Sequence, residues 1–508
     1  MSDATTDASS AGDSAAGDLT PVVLPFAERF SDRLNPILIR ELHQSLGGRV
    51  FIGTLSLACF AIVALALAFT WASGGEQRNG ADLLTGCTSC LAVLCLIIVP
   101  MQAFTSTRQE VSGGTAAQLL MTRLRPRRIV SGKLAAAMLQ FALFLSVFAP
   151  LIAITYLLGG IDVPTILVLL VFAVLASITA VAFAVAMATI SATRQLQHLI
   201  QALTLAGLFV AGFSAMIGSW GLVRELSQLV RFDEFWIVFT STVLMFAAGA
   251  VLCGMIAAAS LAHAYENRST GFRLFAFGLL LAVMPWCLFV LPGIAIDEAP
   301  AFISATLALV LAPFWLWANC EDASLSPRVR TLVPRGSALA AAATPFLPGG
   351  QRGFVFTLLL AGLGIGVGLL TPLLGGVHAQ REGRDICLVS WSYVVLYAAI
   401  ARLLRTRLRR GRAGSILAFA LVLAIAIAAP IAVLIVDLFL FSDVTWHLGH
   451  LTNPIFTIDQ INRHPRAWIG LPIGAGALAL LLGAVNARSG FREVSVASRE
   501  RRELAKRV

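Results

Sequence analysis

Charge is what this 508-residue chain has least of. Only 13% of its residues are Asp, Glu, Lys or Arg, and 58% are apolar; an ordinary soluble domain carries about 25% charged residues. Too few polar residues are left to cover a water-soluble fold, which excludes a soluble enzyme, a coiled coil and a disordered protein. Lysine is almost missing: Lys133 and Lys506 are the only two. With the Ala-rich runs, that usage points to a GC-rich bacterial genome. A phosphate-cradling loop is also lacking. The motif needs G-x-x-x-x-G-K-[ST], but the single Gly-Lys pair, Gly132-Lys133, is followed by Leu134 and has Arg127 where the first glycine belongs. The chain therefore has no nucleotide-cleaving motif and no cofactor of its own.

Other absences narrow the reading further. Residues 1–28 hold no Lys or Arg and no apolar h-region, so they are not a signal peptide. Their Ser/Ala/Gly/Asp mix predicts a disordered cytoplasmic tail. Cys87-x-x-Cys90 has no second pair, as a zinc site would need. Most of the eight cysteines lie in apolar runs, where Cys behaves as a small hydrophobe; a Cys87–Cys90 disulfide is the alternative.

What is present is apolar length. A membrane helix needs about 20 mostly apolar residues. Twelve runs qualify, near 50–72, 86–105, 134–158, 163–190, 199–218, 235–262, 273–293, 300–319, 354–375, 388–404, 414–440 and 468–487. Backbone groups in lipid must pair within the protein, which leaves helices or a closed barrel. The runs are too long and too uniform for barrel strands. The expected fold is an all-α polytopic membrane protein of about twelve transmembrane helices. Of the 37 Lys and Arg residues, 30 fall in one alternate set of loops and 7 in the other. The positive-inside rule makes the rich side cytoplasmic, with both termini there. The net charge of +10 follows from this bias, and no soluble basic domain exists that would bind nucleic acid.

Loop lengths repeat. The longest cytoplasmic loop follows the second run of each half (106–133, then 319–353), and the longest outer loop follows the fifth (219–234, then 441–467). This divides the chain into a tail at 1–28, one six-span half at 33–262, a second at 263–487 and a basic cytoplasmic tail at 488–508, as in transporters built from internal repeats.

Two segments carry more information. In the first, Asn35 is a good helix N-cap and Pro36 fits the first helical position. Leu38, Ile39, Leu42 and Leu46 then share one face, and Arg40, Glu41, His43 and Gln44 the other, with Ile37 misplaced among the polar residues. This predicts an amphipathic helix lying in the cytoplasmic interface. In the second segment, 107–133, Gly113-Gly114 breaks the preceding helix, and Thr115 with Gln118 has capping-box spacing. A short helix through Leu119, Leu120 and Met121 ends before Arg125-Pro126. Arg127, Arg128 and Lys133 follow at headgroup level. Exposed leucines need something to pack on: either this protein's own loops or a cytosolic partner.

These segments resemble the type-2 permeases of ATP-binding-cassette (ABC) transporters over roughly residues 33–262. The matching residues are Asn35, Pro36, Arg40 and Glu41, then Gly114, Thr115, Leu119, Leu120, Thr122, Leu124, Pro126, Arg127, Arg128, Ile129, Val130, Gly132 and Lys133. The resemblance implies an elbow helix at the first segment and a coupling helix at the second. It implies six spans per permease unit, a bacterial inner membrane, and export. It also implies docking on a cytosolic ABC ATPase, which would hold the ATP, through Glu110, Gly114, Thr115, Leu119, Leu120, Met121, Arg127 and Arg128. Ala116 and Ala117 stand where members often carry an acidic residue, and Glu110 lies slightly displaced before the Gly-Thr pair. Loop 319–353, with Glu321, Asp322, Arg328, Arg330 and Arg335, occupies the corresponding place in the second half as a degenerate coupling loop. One chain would then act as a pseudo-dimer, or two chains would pair as a homodimer, among membrane lipids.

Other readings are weaker. An ion-coupled carrier usually places charge in mid-membrane, and the run centres here are nearly free of it. An intramembrane enzyme needs converging acid–base groups, and none stand out. Asp443, His447, His450, Asp459 and His464 follow no metal-binding spacing, so no metal site is expected. Trp446 and Trp468 suit an outer aromatic belt.

Overall fold

The computed structural model describes residues 35–72, 80–121, 124–159, 161–190, 194–262, 266–286, 304, 307–308, 311–322, 325–370, 377–408, 411–440, 457 and 466–507. The described residues contain helices and no strand. Eight of the helices are long and apolar enough to cross a membrane, which makes this an all-α, multi-pass membrane protein.

A short helix α1 (Pro36–Leu46) leads into α2 (Arg49–Ala72). The next crossing, 80–112, has three parts: α3 (Gly80–Val93), a π-helical turn Leu94–Ile98, and α4 (Val99–Ser112). Pro100 explains the turn. It has no N–H for the ladder, and the wider π turn absorbs the fault without ending the helix. Then come α5 (Thr115–Met121), α6 (Pro126–Leu157), α7 (Val163–Ala188), α8 (Arg194–Leu229) and α9 (Asp233–Leu261). These hold the first six expected crossings. The third helix begins at Pro126, eight residues before the apolar run near 134, because its first two turns are basic yet still helical.

The second half holds α10 (Thr270–Pro285), α11 (Ala312–Cys320), α12 (Pro327–Arg330), α13 (Ser337–Ala343), a 3-10 turn (Thr344–Phe346), α14 (Gly350–Leu370), α15 (Val377–Arg407), α16 (Arg412–Leu440) and α17 (Arg466–Arg507). Within it, 384–407 and 470–505 meet the length and apolarity of a crossing, while 270–285, 350–366 and 414–426 are shorter apolar stretches. Residues 1–34 and the outer-loop residues Asp443, Trp446, His447, His450, Asp459 and His464 lie outside the described set. No group of metal-binding residues occurs among the described residues. Cys87 and Cys90 are free thiols.

Two cores form. The first packs Phe141, Phe144 and Phe148 of α6 against Leu84, Leu91 and Cys95 and against Val181 and Val185 of α7. Small residues let helices approach closely where lipid supplies no hydrophobic drive: Ala182, Ala184, Ala186 and Ala188 of α7 are buried, as are Ala248, Ala250 and Ala257 of α9. Thr179 strengthens this contact by donating to Phe246 O of α9 at 3.1 Å. The second core gathers Trp315, Phe354, Phe356, Leu360, Trp391 and Ala398, and takes in Leu252 from α9. The seam between the cores therefore runs along α9 and α10.

Candidate functional site

The two informative segments fold against each other. Asn35 caps α1 by accepting from Ile37 N at 3.2 Å, and its Nδ2 donates to Arg128 O at 2.6 Å, which ties α1 to the start of α6. Ile37 packs on Gly132 so closely that a Cβ there would stand 2.8 Å from Ile37 Cβ and 2.8 Å from Asn35 Nδ2. The face of α1 turned to the protein is thus the one with Ile37 and Glu41, its two buried residues. The expected apolar stripe, Leu38, Ile39, Leu42 and Leu46, is half-buried and lies beside that face. The misplaced Ile37 marks the buried face, and its polar neighbours are there to be paired.

Their pairing builds a buried charge clamp. Lys133 Nζ, 5% exposed, bridges Glu41 Oε1 at 2.5 Å and Glu110 Oε2 at 2.8 Å. Arg40 donates to Glu110 Oε1 at 2.9 Å, and Ser106 to Glu41 Oε2 at 3.1 Å. All four carboxylate oxygens are engaged, and the two cations balance the two anions. A buried charge needs this completeness, because any unpaired member keeps its full desolvation penalty. A lysine suits the bridge: its compact ammonium fits between two carboxylates where a planar guanidinium would demand more room. A chain that otherwise uses arginine spends one of its two lysines here.

The clamp fixes the loop between the two crossings. α4 stops at Ser112, and Gly114 takes φ +77°, a left-handed turn that suits glycine. Thr115 is the first residue of α5, and its hydroxyl donates back to Glu110 O at 3.2 Å. The expected capping box with Gln118 does not form; Thr115 closes the end of α4 instead. Leu119 turns inward, beside Thr107, Glu110, Ile129, Lys133 and Leu261 around a cavity of about 10 Å³. Met121 turns outward, 85% exposed. The side chain of Leu120 lies outside the described set. Arg125 is extended before Pro126, which opens α6. Arg127 and Arg128 are exposed in its first turn. Of the expected docking residues, then, Met121, Arg127 and Arg128 face out, Leu119 and Glu110 face in, and Gly114 and Thr115 shape the turn.

Arg108 closes the neighbouring end. It donates to Ala188 O at 3.3 Å and Ile190 O at 2.9 Å, a cation at the carbonyl end of α7.

The second loop is tied down differently. Arg273, fully buried, donates to Pro345 O at 3.0 Å, Leu347 O at 2.6 Å and Glu321 Oε2 at 2.7 Å. Asp322 pairs with Arg405, and Arg352 with Glu493 of α17 at 2.8 Å. The sequence alone did not place Arg273, Arg352 or Glu493 together. Their partners lie 48 to 141 residues apart, beyond any local pattern.

Comparison with family models, with curated proteins and with solved structures finds no match.

Proposed function

We propose that this chain is the membrane permease subunit of an ABC transporter, driven by a separate cytosolic ATPase and working as an exporter in a bacterial inner membrane. On this reading the chain crosses twelve times, with both termini in the cytoplasm, and the loop at 113–125 is where the ATPase docks. The observation that carries the reading is the clamp. It joins α1 to the ends of two adjacent crossings through buried ion pairs, and between those ends it presents α5 with Met121 bare to solvent. A push on α5 is then passed to both crossings and to the interfacial helix, because Lys133, Glu41 and Glu110 are buried and cannot leave the cluster without being stranded.

The test is affinity capture of the full chain in mild detergent, with mass spectrometry of what is retained. The expected result is a near-stoichiometric ATPase with its own Walker A motif, reduced at least tenfold by Met121→Asp while the thermal midpoint of the permease stays put. Met121 is the better probe than Leu119, whose inward side chain couples docking to folding. Absence of any ATPase from well-folded protein would favour the second reading, a twelve-span carrier that works without ATP.

A further inference from the structure

The seam between the two cores opens on the basic face as a cleft of about 400 Å³. Its walls come from the start of α6 (Arg125, Pro126, Arg127), the end of α9 (Met255, Ala258, Ala259, Ala262) and the approach to α10 (Glu266, Asn267, Arg268, Gly271, Phe272). Two helix N-termini meet there. The positive ends of both helix dipoles point into the cleft; Thr270 N is capped by Asn267 Oδ1 at 3.2 Å and Pro126 has no N–H, and neither α6 nor α10 has an acidic residue in its first turn. Three guanidinium groups are added to this field. Arg127 reaches across the seam, so that a Cβ on Gly271, in the first turn of α10, would lie 3.4 Å from its Nη2. Neither Arg125 nor Arg127 has an ion pair among the described residues. Arg268 is held by Ala262 O, and burial pushes its pKa down, with Glu266 and Glu321 opposing. Glu266 is the one carboxylate on the wall, and it is shared with Arg328 at 3.8 Å. Cations at helix N-termini are of the wrong sign for the helix dipole; the arrangement suits an anion that accepts from guanidinium groups and backbone N–H together, as phosphate does.

We propose that this cleft binds the phosphodiester headgroup of an anionic membrane lipid and that the bound lipid joins the two halves of the protein. Basic pockets between helices at a membrane surface are matched to such headgroups. The apolar part of the wall, Met255, Ala258, Ala259 and Phe272, leads from the phosphate position into the bilayer, where an acyl chain continues. Free phosphate shares the headgroup chemistry but not the chain. The inference rests on placement of the basic face at a membrane surface and not on ATPase docking, which the Met121 variant tests separately.

The experiment uses the full chain, delipidated in detergent, titrated with dioleoylphosphatidylglycerol, dioleoylphosphatidylcholine or inorganic phosphate. Bound lipid is read by native mass spectrometry and stability by thermal midpoint. Phosphatidylglycerol is expected to bind at least tenfold more tightly than phosphatidylcholine and to raise the midpoint. The triple variant Arg125→Gln, Arg127→Gln, Arg268→Gln is expected to lose that preference. Arg127→Gln alone, at an exposed position, keeps the test open if the triple variant does not fold; it is expected to weaken phosphatidylglycerol binding at least threefold with an unchanged lipid-free midpoint. Equal phosphatidylglycerol affinity in wild type and the folded Arg127→Gln protein would overturn the proposal. So would phosphate alone giving the same protection as the lipid at equal concentration, which would assign the cleft to a soluble anion.

Discussion

The two long loops on the basic face start from similar material and end differently. After Gly114-Thr115 the first loop runs to Thr122 and Pro126; after Gly336-Ser337 the second runs at the same spacings to Thr344 and Pro348. Each pair opens a seven-residue helix, α5 in the first and α13 in the second. The glycines already diverge, since Gly114 has φ +77° while Gly336 has an ordinary −73°. The larger difference is what lies on top. Met121 of α5 faces solvent. α13 lies under the extension of α17, where Val494 and Ala497 pack with Val329, Val333, Ala340 and Leu347. Ser498 donates to Arg335 O at 3.0 Å and Arg501 to Val333 O at 2.5 Å. One loop is anchored by a charge clamp; the other is anchored by the chain's own last helix, which buries Ala340 while Leu339 of α13 stays 68% exposed. Similar local sequence is therefore held in place by different distant segments.

That contrast can be broken from either side. The largest effect is expected from Lys133→Met, which leaves buried Glu41 with no counter-ion and Glu110 with Arg40 alone and should cost about 3–5 kcal/mol, read as a lowered thermal midpoint or loss of folded protein. Adding Glu41→Gln should recover part of that loss. The parallel pair in the second half should behave otherwise. Arg273→Met with Glu321→Gln is expected to show no recovery, because Arg273 also serves the carbonyls of Pro345 and Leu347. Val494→Asp comes next. A charge buried in the small cluster under α17 should cost about 3 kcal/mol, felt locally. Limited proteolysis should then cut at Arg328, Arg330 or Arg335 at least tenfold faster, with no change at Arg123. Cleavage rising equally in both loops would mean that α17 stabilises the whole basic face and not one loop. Gly132→Ala should cost about 1–3 kcal/mol by overpacking, and hydrogen exchange should rise in α1 while α13 stays as it was. The smallest effect is expected from Arg330→Gln. Its contacts with Glu493 at 3.8 Å and Glu500 at 4.0 Å are partly exposed, so stability should change by less than about 0.5 kcal/mol.

The first six crossings were legible because each run is long enough to span and is bounded by polar residues; even the weak divider, Arg194 to His198, forms the polar first turn of α8. The second half was harder to read, since 270–285 and 350–366 are short of a full crossing by composition. Asn35-Pro36 announced α1, but periodicity did not reveal that Ile37 and Glu41 are the residues it buries against the protein. The partners of Glu41 lie 65 and 92 residues further along the chain, and a charge that will be paired at long range reads locally as a solvated one. The same blindness left 488–508 as a basic cytoplasmic tail with no packing partner named. Its arginines dominate the composition, while the signal for docking was three small or apolar residues, Val494, Ala497 and Ser498, at one helical spacing.

The last helix has a mechanical meaning. α17 runs 42 residues without a break, about 63 Å at the usual rise per residue, roughly twice the hydrocarbon thickness of a bilayer. Its far end is the strap over α13 and, through Glu493, an anchor for α14. A rod of that length turns a small change of tilt within the membrane into a displacement of several ångströms at its tip. The second loop is thus geared to the last crossing and moves when that crossing leans, whereas the first loop is tied by its clamp to α1, α4 and α6.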